Sequence, residues 1–284
     1  MSRLPERARP LASVVVVACG DVAVTRACLD SVAGSRAMPL QVIAVNNGGG
    51  APLHCALEGC GPRLADRCVD LHVIHLTRQL GASTARNLAL PFVKGDYVAF
   101  IDNDTRSTDP AWVCRLAALL ASDETVGVVG PRIVAEATGR LECAGYGVDP
   151  RGRVWPLARG ASADAPAHRV RREVQAVGNF MAPTRLVRQI GGFDPAFDPF
   201  GFENIDCCYR IKRHRKRIVC DGGTDLLHVG HVTTGRFEER GRRVLFEKSL
   251  LLRKRWRHVF AQEADAFARL TAETGGSPLK GVAR

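Results

Sequence analysis

The sequence predicts an α/β fold in which a mostly parallel, Rossmann-like central sheet is flanked by helices. Apolar runs of strand length recur at residues 13–18, 41–46, 71–76 and 96–102. Amphipathic segments of helical length lie between or after these runs, at 22–34, 82–93 and 110–121. Strands that alternate with helices of this length form a parallel sheet that is covered on both faces.

Turn and cap signals predict the remaining elements. Asp109 and Pro110 predict the start of the third helix, with Asp109 as the N-cap and Pro110 in the first position. Residues 158–173, which are rich in Ala and Arg, are predicted to form a surface loop. Shorter strands are predicted at 126–132, 141–148 and 152–157.

Length and composition favour one domain. At 284 residues the chain is near the upper size of a single hydrophobic core. The longest apolar run, around residues 11–19, is about half of the ~20 residues that span a bilayer, and no signal-peptide pattern precedes it. We therefore predict a cytoplasmic protein. The ten cysteines are scattered and form no Cys-x-x-Cys pair, so we predict reduced thiols that are mostly buried.

Polar residues follow three of the predicted strands. They are Cys19-Gly20-Asp21, Asn46-Asn47-Gly48 and Asp102-Asn103-Asp104. Ligands of parallel sheets bind beyond the carboxyl ends of the strands, so these segments should line one crevice. On an extended chain Asp102 and Asp104 point the same way and form a site for a hard cation, Mg²⁺ or Mn²⁺, whose other ligands suit phosphate oxygens. An ordinary turn is the alternative interpretation of Asp-x-Asp.

Other motifs follow one another in a fixed order along the chain. They are 13–17, 29–32, 41–48, 81–87, 178–181, 191–194, 201–210 and 228–231. Together with Asp102-Asn103-Asp104 they resemble the family-2 glycosyltransferases of the GT-A fold, in particular bacterial rhamnosyltransferase-like members, over about residues 11–235. The resemblance implies one catalytic domain over residues 1–284. Its parts are a nucleotide-sugar-binding half at about 11–125, an acceptor-binding half at about 126–235 and a C-terminal helical extension at about 236–284.

The resemblance also implies roles for single residues. Asp104 is implied as the direct ligand of Mn²⁺ or Mg²⁺, and Asp102 as a ribose contact or second ligand. His228 is implied as the third ligand and His231 as a contact of the diphosphate, with a histidine hydrogen-bonded within a loop as the alternative for each. The donor-binding residues are predicted to be Ala18, Cys19, Gly20, Asn46, Asn47, Gly81, Arg86, Asp102 and Asn103. The acceptor-side residues are predicted to be Gly178, Asn179, Phe180, Gly201, Phe202 and Asn204.

Three positions leave the mechanism and the donor open. Arg86 is expected to donate to phosphate, with a structural ion pair as the alternative. Asn204 replaces an aspartate of the inverting relatives, so Glu203 or Asp206 is predicted to be the general base. These two residues are three positions apart on a helix, so both should face the pocket. We favour inversion, although a retaining mechanism stays open. Asn46 replaces an aspartate that contacts uracil, which leaves UDP and dTDP sugars as alternatives.

The net charge of +11 arises largely in the second half, where Arg and Lys crowd residues 210–217 and 253–257. The chain has no recognisable nucleic-acid module, so we expect no nucleic acid partner. A solvated helix face, an anionic acceptor and a phospholipid surface remain open for these clusters. We predict a metal-dependent glycosyltransferase with an unidentified acceptor. The alternatives are a nucleotide-sugar-binding relative without turnover and, less favoured, a basic nucleic-acid-binding protein.

Overall fold

The computed structural model describes residues 12–35, 39–67, 69–230 and 238–275. The strands are β1 (Ala12–Ala18), β2 (Leu40–Asn47), β3 (Val69–Leu76), β4 (Tyr97–Asp102), β5 (Thr105–Arg106), β6 (Val126–Ala135), β7 (Arg140–Cys143), β8 (Tyr146–Val148), β9 (Val154–Pro156), β10 (Arg172–Val174), β11 (Phe180–Pro183) and β12 (Arg217–His228). The helices are α1 (Val22–Ala33), α2 (Gly50–Glu58), α3 (Gly61–Ala65), α4 (Ala82–Ala89), α5 (Trp112–Ser122), α6 (Thr184–Gln189), α7 (Glu203–Lys212), α8 (Glu238–Gln262) and α9 (Ala264–Thr274).

The central sheet has the strand order β10-β12-β6-β11-β4-β1-β2-β3, with β5 beside β12 and β7 beside β6. Neighbours β4, β1, β2 and β3 are parallel, as are β6 and β12. Strand β11 runs antiparallel to both β4 and β6. The α/β fold with a mostly parallel sheet flanked by helices is therefore confirmed.

Two hydrophobic cores lie on opposite faces of this sheet. Along β1, Val14 and Val16 belong to one core and Val15 to the other. Because successive side chains of a strand point to opposite faces, a strand buried on both sides has a continuous apolar sequence. Helix α8 contributes to the core that contains Val15 through Trp256 and Phe260, which contact Tyr209 of α7. Residues far apart in sequence thus close one face of the sheet.

Two helix boundaries differ from their predictions. Helix α4 ends at Ala89, and residues 90–92, which contain Pro91, form a 3₁₀ turn. Helix α5 begins at Trp112 with Ala111 as its N-cap, so the prediction that Asp109 is the N-cap was wrong. The Asp109 carboxylate instead accepts from the Ala111 backbone N–H and from Arg115, which closes the turn before the helix.

The shorter strands of the second half also differ in extent from the prediction. Strand β6 continues to Ala135, and the predicted strand 141–148 is divided into β7 and β8. The predicted loop 158–173 includes a 3₁₀ turn and leads into β10. Backbone oxygens of this loop accept from Arg132, which is fully buried and paired with Asp225.

Several cations of the predicted basic clusters take part in ion pairs or backbone contacts. Arg210 donates to the carbonyls of Gly192 and Ile190, and Lys212 pairs with Glu263. Further members pair in the same way: Arg217 with Asp123 and Glu173, and Arg255 with Asp194 and Asp206. Charge density in the sequence therefore overstates the cationic surface.

No disulfide joins the cysteines of the described part, and six of them are buried. Among the described residues no helix is both long and apolar enough to cross a membrane.

Candidate active site

A pocket of about 370 Å³ opens at the carboxyl ends of the parallel strands. It is lined by Val17, Cys19, Asn47, Gln79, Leu80, Ala82, Arg86, Asp102, Asn103, Asp104, Pro199, Phe200, Glu203 and His228. The predicted crevice beyond the strand ends is therefore present, and most of its predicted charged residues meet there.

The Asp-x-Asp segment is a turn and not an extended strand end. Strand β4 ends at Asp102, and Asn103 and Asp104 form the turn that leads into β5. The Thr105 hydroxyl donates to the Asp102 carbonyl, and the Asn103 amide donates to Thr25 of α1. The Asp102 carboxylate contacts Arg86 and the Asp104 carboxylate contacts His228. The two side chains therefore point to different partners, contrary to the expectation that they point the same way.

The short strand β5 brings His228 to the aspartates. Thr105 pairs with His228 at the end of β12, and the Val229 N–H donates to the Asp104 carbonyl. As a result His228 Nε2 lies 3.3 Å from Asp104 Oδ2. Its other ring nitrogen, Nδ1, lies 2.8 Å from Glu142 Oε2 on β7. Hydrogen bonds to Asp104 and to Glu142 raise the pKa of His228 to about 10.

Asp104 and His228 fit a divalent cation. They present a carboxylate oxygen and an imidazole nitrogen side by side, and Glu142 fixes the ring from behind, as carboxylates do for metal-bound histidines. A cation bound here would displace the proton that His228 Nε2 shares with Asp104, because only the neutral ring nitrogen is a metal ligand. Mn²⁺ accepts imidazole more readily than Mg²⁺, which prefers oxygen ligands. Asp102 is turned towards Arg86, so the geometry favours Asp104 and His228 as the protein ligands.

Arg86 of α4 lies between two carboxylates in the floor of the pocket. It donates to Glu203 Oε1 at 2.8 Å and to Asp102 Oδ1 at 3.0 Å, and its guanidinium stacks on Phe193. Burial opposes the charge of Arg86, but the two carboxylates outweigh it and raise its pKa. The alternative interpretation of Arg86, a structural ion pair, describes this geometry.

The loop before α7 is fixed to the N-terminus of α4. Asp198 accepts from the backbone N–H groups of Ser83 and Thr84, and the Pro199 carbonyl accepts from Ala82. A Cβ on Gly81 would lie 2.0 Å from the Asp198 carboxyl carbon, so only glycine permits this approach. The contact aligns Glu203, at the start of α7, with Arg86 on α4.

Of the predicted donor residues, the two asparagines at the end of β2 have different environments. Asn47 lines the pocket and exchanges two hydrogen bonds with the Leu80 backbone. Asn46 is buried outside the pocket lining, where it accepts from Gly49 and donates to Gly50. The structure therefore does not bring Asn46 to the donor, because its amide is used to form the β2–α2 turn.

The other predicted donor residues also differ in whether they line the pocket. Cys19 and Asn103 line the pocket, whereas Ala18 is fully buried in the sheet and Gly20 is exposed beside it. Gly81 lines an adjoining groove.

The predicted acceptor-side residues support the site from behind. The Asn179 side chain accepts from the Asp102 N–H at 2.7 Å, and Phe180 is buried against Phe100. Gly201 donates its N–H to Glu203, and Phe202 precedes α7 in a left-handed conformation. None of the six predicted acceptor-side residues, including Gly178 and Asn204, belongs to the pocket lining.

Glu203 and Asp206 have opposite environments, contrary to the expectation that both face the pocket. Glu203 lines the pocket. Asp206 is fully buried on the far side of α7, where Oδ1 accepts from Arg255 and Trp256 of α8. Burial raises the pKa of Asp206, and the contact with Trp256 opposes that effect. Asp206 thus anchors α8 to α7.

His231 lies outside the described residues, so its predicted diphosphate contact stays a prediction. The sequence reasoning missed Glu142 and Asp198, whose roles depend on partners 86 and 115 residues away. It also missed the pocket residues Gln79, Leu80, Pro199 and Phe200. Gly81, whose missing Cβ leaves room for the Asp198 carboxylate, was the sequence signal nearest to Asp198.

Residues 13–142 match the model of the family described as glycosyl transferase family 2. Over these residues the chain is similar to that family. It is 25% identical to O-antigen biosynthesis protein RfbC of Myxococcus xanthus over 80% of this chain and 18% of that protein. It is 27% identical to the pre-mycofactocin glycosyltransferase of Mycobacterium tuberculosis over 61% of this chain and 34% of that protein. The chain thus spans about a third or less of these relatives.

The family match and the relatives' names support the predicted enzyme class, a glycosyltransferase. Solved structures support the GT-A fold. A complex of GalNAc-T7 with UDP, GalNAc and Mn²⁺ has a TM-score of 0.61 at 14% identity, covering 80% of this chain and 45% of the other. The mannosyltransferase PcManGT of Pyrobaculum calidifontis, in complex with GDP-Man and Mn²⁺, has a TM-score of 0.58 at 17% identity, covering 98% and 81%.

Proposed function

We propose that this protein transfers a sugar from a nucleoside-diphosphate sugar to an acceptor hydroxyl, with Mn²⁺ or Mg²⁺ as cofactor. The observation that carries the proposal is the meeting of Asp104, His228, Arg86 and Glu203 in one pocket at the strand ends. In this proposal the first half of the chain binds the donor and the second half contributes the acceptor side.

Asp104 and His228 would hold the cation, which neutralises the diphosphate that leaves with the nucleotide. Their contact at 3.3 Å supports this pairing. Asp102 faces the ribose, Cys19 and Asn47 border the nucleotide, and Arg86 holds Asp102 and Glu203 in position. The proposed donor is a UDP or dTDP sugar, and the two stay alternatives because uracil and thymine share the ring edge that a base contact would recognise.

Glu203 is the proposed general base of an inverting displacement. Its Oε1 accepts from Arg86 and its Oε2 from the Gly201 N–H, which leaves further lone pairs for the acceptor hydroxyl. Asp206 is too deeply engaged with α8 to reach a substrate, so it is not proposed as the base.

A donor panel tests the proposed reaction. The purified protein is incubated with UDP-, dTDP- and GDP-sugars and Mn²⁺, and slow hydrolysis of the donor is followed. We expect hydrolysis of a UDP or dTDP sugar that stops with EDTA. Nucleotide-sugar binding without hydrolysis or transfer would instead indicate a relative without turnover. Nucleotide-independent, strongly salt-dependent DNA binding would favour the nucleic-acid alternative.

A second experiment tests the base. Glu203→Gln should lower kcat by ~10²–10⁴-fold while donor binding stays near that of the wild type. Asp206→Asn is the matched control on the same helix. It should lower the free energy of unfolding and leave kcat close to that of the wild type. NMR of the product anomer supplies an independent test. A retained configuration, or wild-type kcat in Glu203→Gln, would contradict the assignment.

The acceptor side is proposed to lie under the first turns of α8. A groove of about 240 Å³ shares Gln79, Leu80, Pro199 and Phe200 with the donor pocket and extends to Arg240 and Val244 of α8. An acceptor lying in this groove would reach the pocket beside Phe200.

We further propose that the protein is cytoplasmic and that the exposed side of α8 associates it peripherally with an anionic membrane surface. Phe246 and Leu250 are exposed by 40% and 46% and lie one helical turn apart. We define the basic face of α8 as these two residues with the exposed cations Arg242, Arg243, Lys254 and Arg257. Apolar side chains flanked by cations are typical of helices at anionic bilayers.

Vesicle co-sedimentation tests this surface. The protein should bind phosphatidylglycerol vesicles, bind phosphatidylcholine vesicles less, and dissociate at high salt. Phe246→Ser with Leu250→Ser should reduce binding. Leu88→Ser with Phe92→Ser is the matched control, since those apolar residues are also exposed and four positions apart. Equal vesicle binding by both double variants would contradict the proposal and indicate that the basic face is a solvated surface.

A further inference from the structure

A second group of metal-ligating side chains lies outside the donor pocket, where α2 packs beside β3. It comprises His54 and Glu58 of α2 and His75 of β3, and all three are exposed. His54 and Glu58 are four positions apart, so they share one face of the helix. Strand β3 is an edge strand of the sheet, which leaves His75 accessible from that edge.

Contacts within the group orient the two imidazoles towards each other. His54 Nδ1 lies 3.0 Å from His75 Nδ1, and His75 Nε2 lies 3.0 Å from Glu58 Oε1. Because Glu58 accepts from Nε2, the neutral His75 ring presents its Nδ1 lone pair to His54. The Asn46 amide, a donor 3.4 Å from the same Nδ1, agrees with this tautomer.

The separation of the two Nδ1 atoms suits a shared ion. In a tetrahedral zinc site with Zn–N bonds of about 2.0–2.1 Å, two ligand nitrogens lie about 3.3 Å apart. The observed 3.0 Å needs only a small side-chain adjustment. Without an ion, the Nδ1 proton of a neutral His54 ring bridges the two nitrogens. When an ion binds, His54 carries its proton on Nε2 instead, so that both Nδ1 lone pairs face the ion and no proton is released.

We propose that His54 and His75 bind a transition-metal ion of the Zn²⁺ class through their Nδ1 atoms. Glu58 accepts from His75 Nε2 and fixes the ring, and water completes the coordination. Imidazole ligands favour Zn²⁺, Ni²⁺ or Cu²⁺ over the hard cations that suit Asp104. This site is therefore distinct from the proposed catalytic cation site in both position and preferred metal.

The test is a Zn²⁺ titration by calorimetry, using protein without a histidine tag. Cys55→Ser serves as the background for every variant, because Cys55 is an exposed thiol next to His54. Asp104→Asn is added to remove the catalytic cation site. We expect one Zn²⁺ per chain in this background. Either His54→Ala or His75→Ala should weaken that binding at least ~10-fold, and Glu58→Gln should weaken it ~10-fold.

His72→Ala is the matched control. His72 is on the same strand but stacks on Phe92, outside the group. It should keep the affinity of the background protein. Co²⁺ titration provides a second measurement, since imidazole coordination changes the visible absorption of the ion. The proposal is overturned if the background protein binds no Zn²⁺, or if His54→Ala and His72→Ala bind it equally. The same titrations leave sugar transfer untested, so their failure is separate from failure of the proposed function.

Discussion

Arg86 offers the sharpest test of how the pocket is held together. Its side chain is 7% exposed, and its partner Glu203 is 9% exposed, whereas Asp102 is 46% exposed. The contact with Asp102 is therefore screened by solvent and contributes at most about 1 kcal/mol. Removal of one partner from a buried pair costs about 3–5 kcal/mol, because the other charge is left without compensation. We expect Arg86→Met to lower the free energy of unfolding by about 3–5 kcal/mol.

A double-mutant cycle separates the ion pair from the loss of packing. Glu203→Gln removes the buried charge, so Arg86→Met combined with Glu203→Gln should be destabilised by clearly less than the sum of the two single variants. A coupling of about 2–3 kcal/mol is expected for groups in direct contact. Urea unfolding followed by circular dichroism measures each variant. Asp102→Asn in place of Glu203→Gln is the control, and its coupling with Arg86→Met should stay below about 1 kcal/mol.

The cycle also distinguishes the two interpretations of Arg86. If Arg86 were mainly a phosphate ligand, Arg86→Met would weaken donor binding with little change in stability. A destabilisation below about 1 kcal/mol together with negligible coupling to Glu203 would therefore refute the structural ion pair.

Three further outcomes follow from the site. Asp104→Ala should abolish Mn²⁺-enhanced nucleotide binding and turnover while the protein stays folded, and full activity in EDTA would contradict the metal assignment. Glu142→Gln should weaken Mn²⁺ affinity ~10–100-fold, because it releases the back of the His228 ring; an unchanged Mn²⁺ titration would exclude this role. Asp198→Ala should cost about 1–2 kcal/mol in urea unfolding through loss of the α4 cap, whereas Asp164→Ala, an exposed control, should change stability by less than about 0.5 kcal/mol.

The strands of the first half could be predicted because their burial is simple. β1 and β2 are covered on both faces, so their sequences are continuous apolar runs whose ends lie within about two residues of the prediction. The pocket followed from the same regularity, since the carboxyl ends of parallel strands meet at one edge. Local pattern was sufficient wherever the structure is repetitive.

The orientation of single side chains could not be predicted in this way. Helical spacing placed Glu203 and Asp206 on one face, but their directions are set by Arg86 on α4 and by Trp256 on α8. Asn46 occupies the motif position of a nucleobase contact, yet Gly49 and Gly50 use its amide in a turn. Such choices depend on partners that only the folded chain supplies.

The charge balance of the pocket gives a physical reason for a cation. Among its lining residues, three carboxylates stand against Arg86 and His228. Arg86 is already neutralised by Asp102 and Glu203, and His228 lies between Asp104 and Glu142. A donor diphosphate would therefore meet carboxylates without an uncommitted protein cation among these lining residues. Because like charges at close range repel strongly in a partly desolvated pocket, the proposed donor needs a cation that the solution supplies. The carboxylate and imidazole at 3.3 Å provide the position for it.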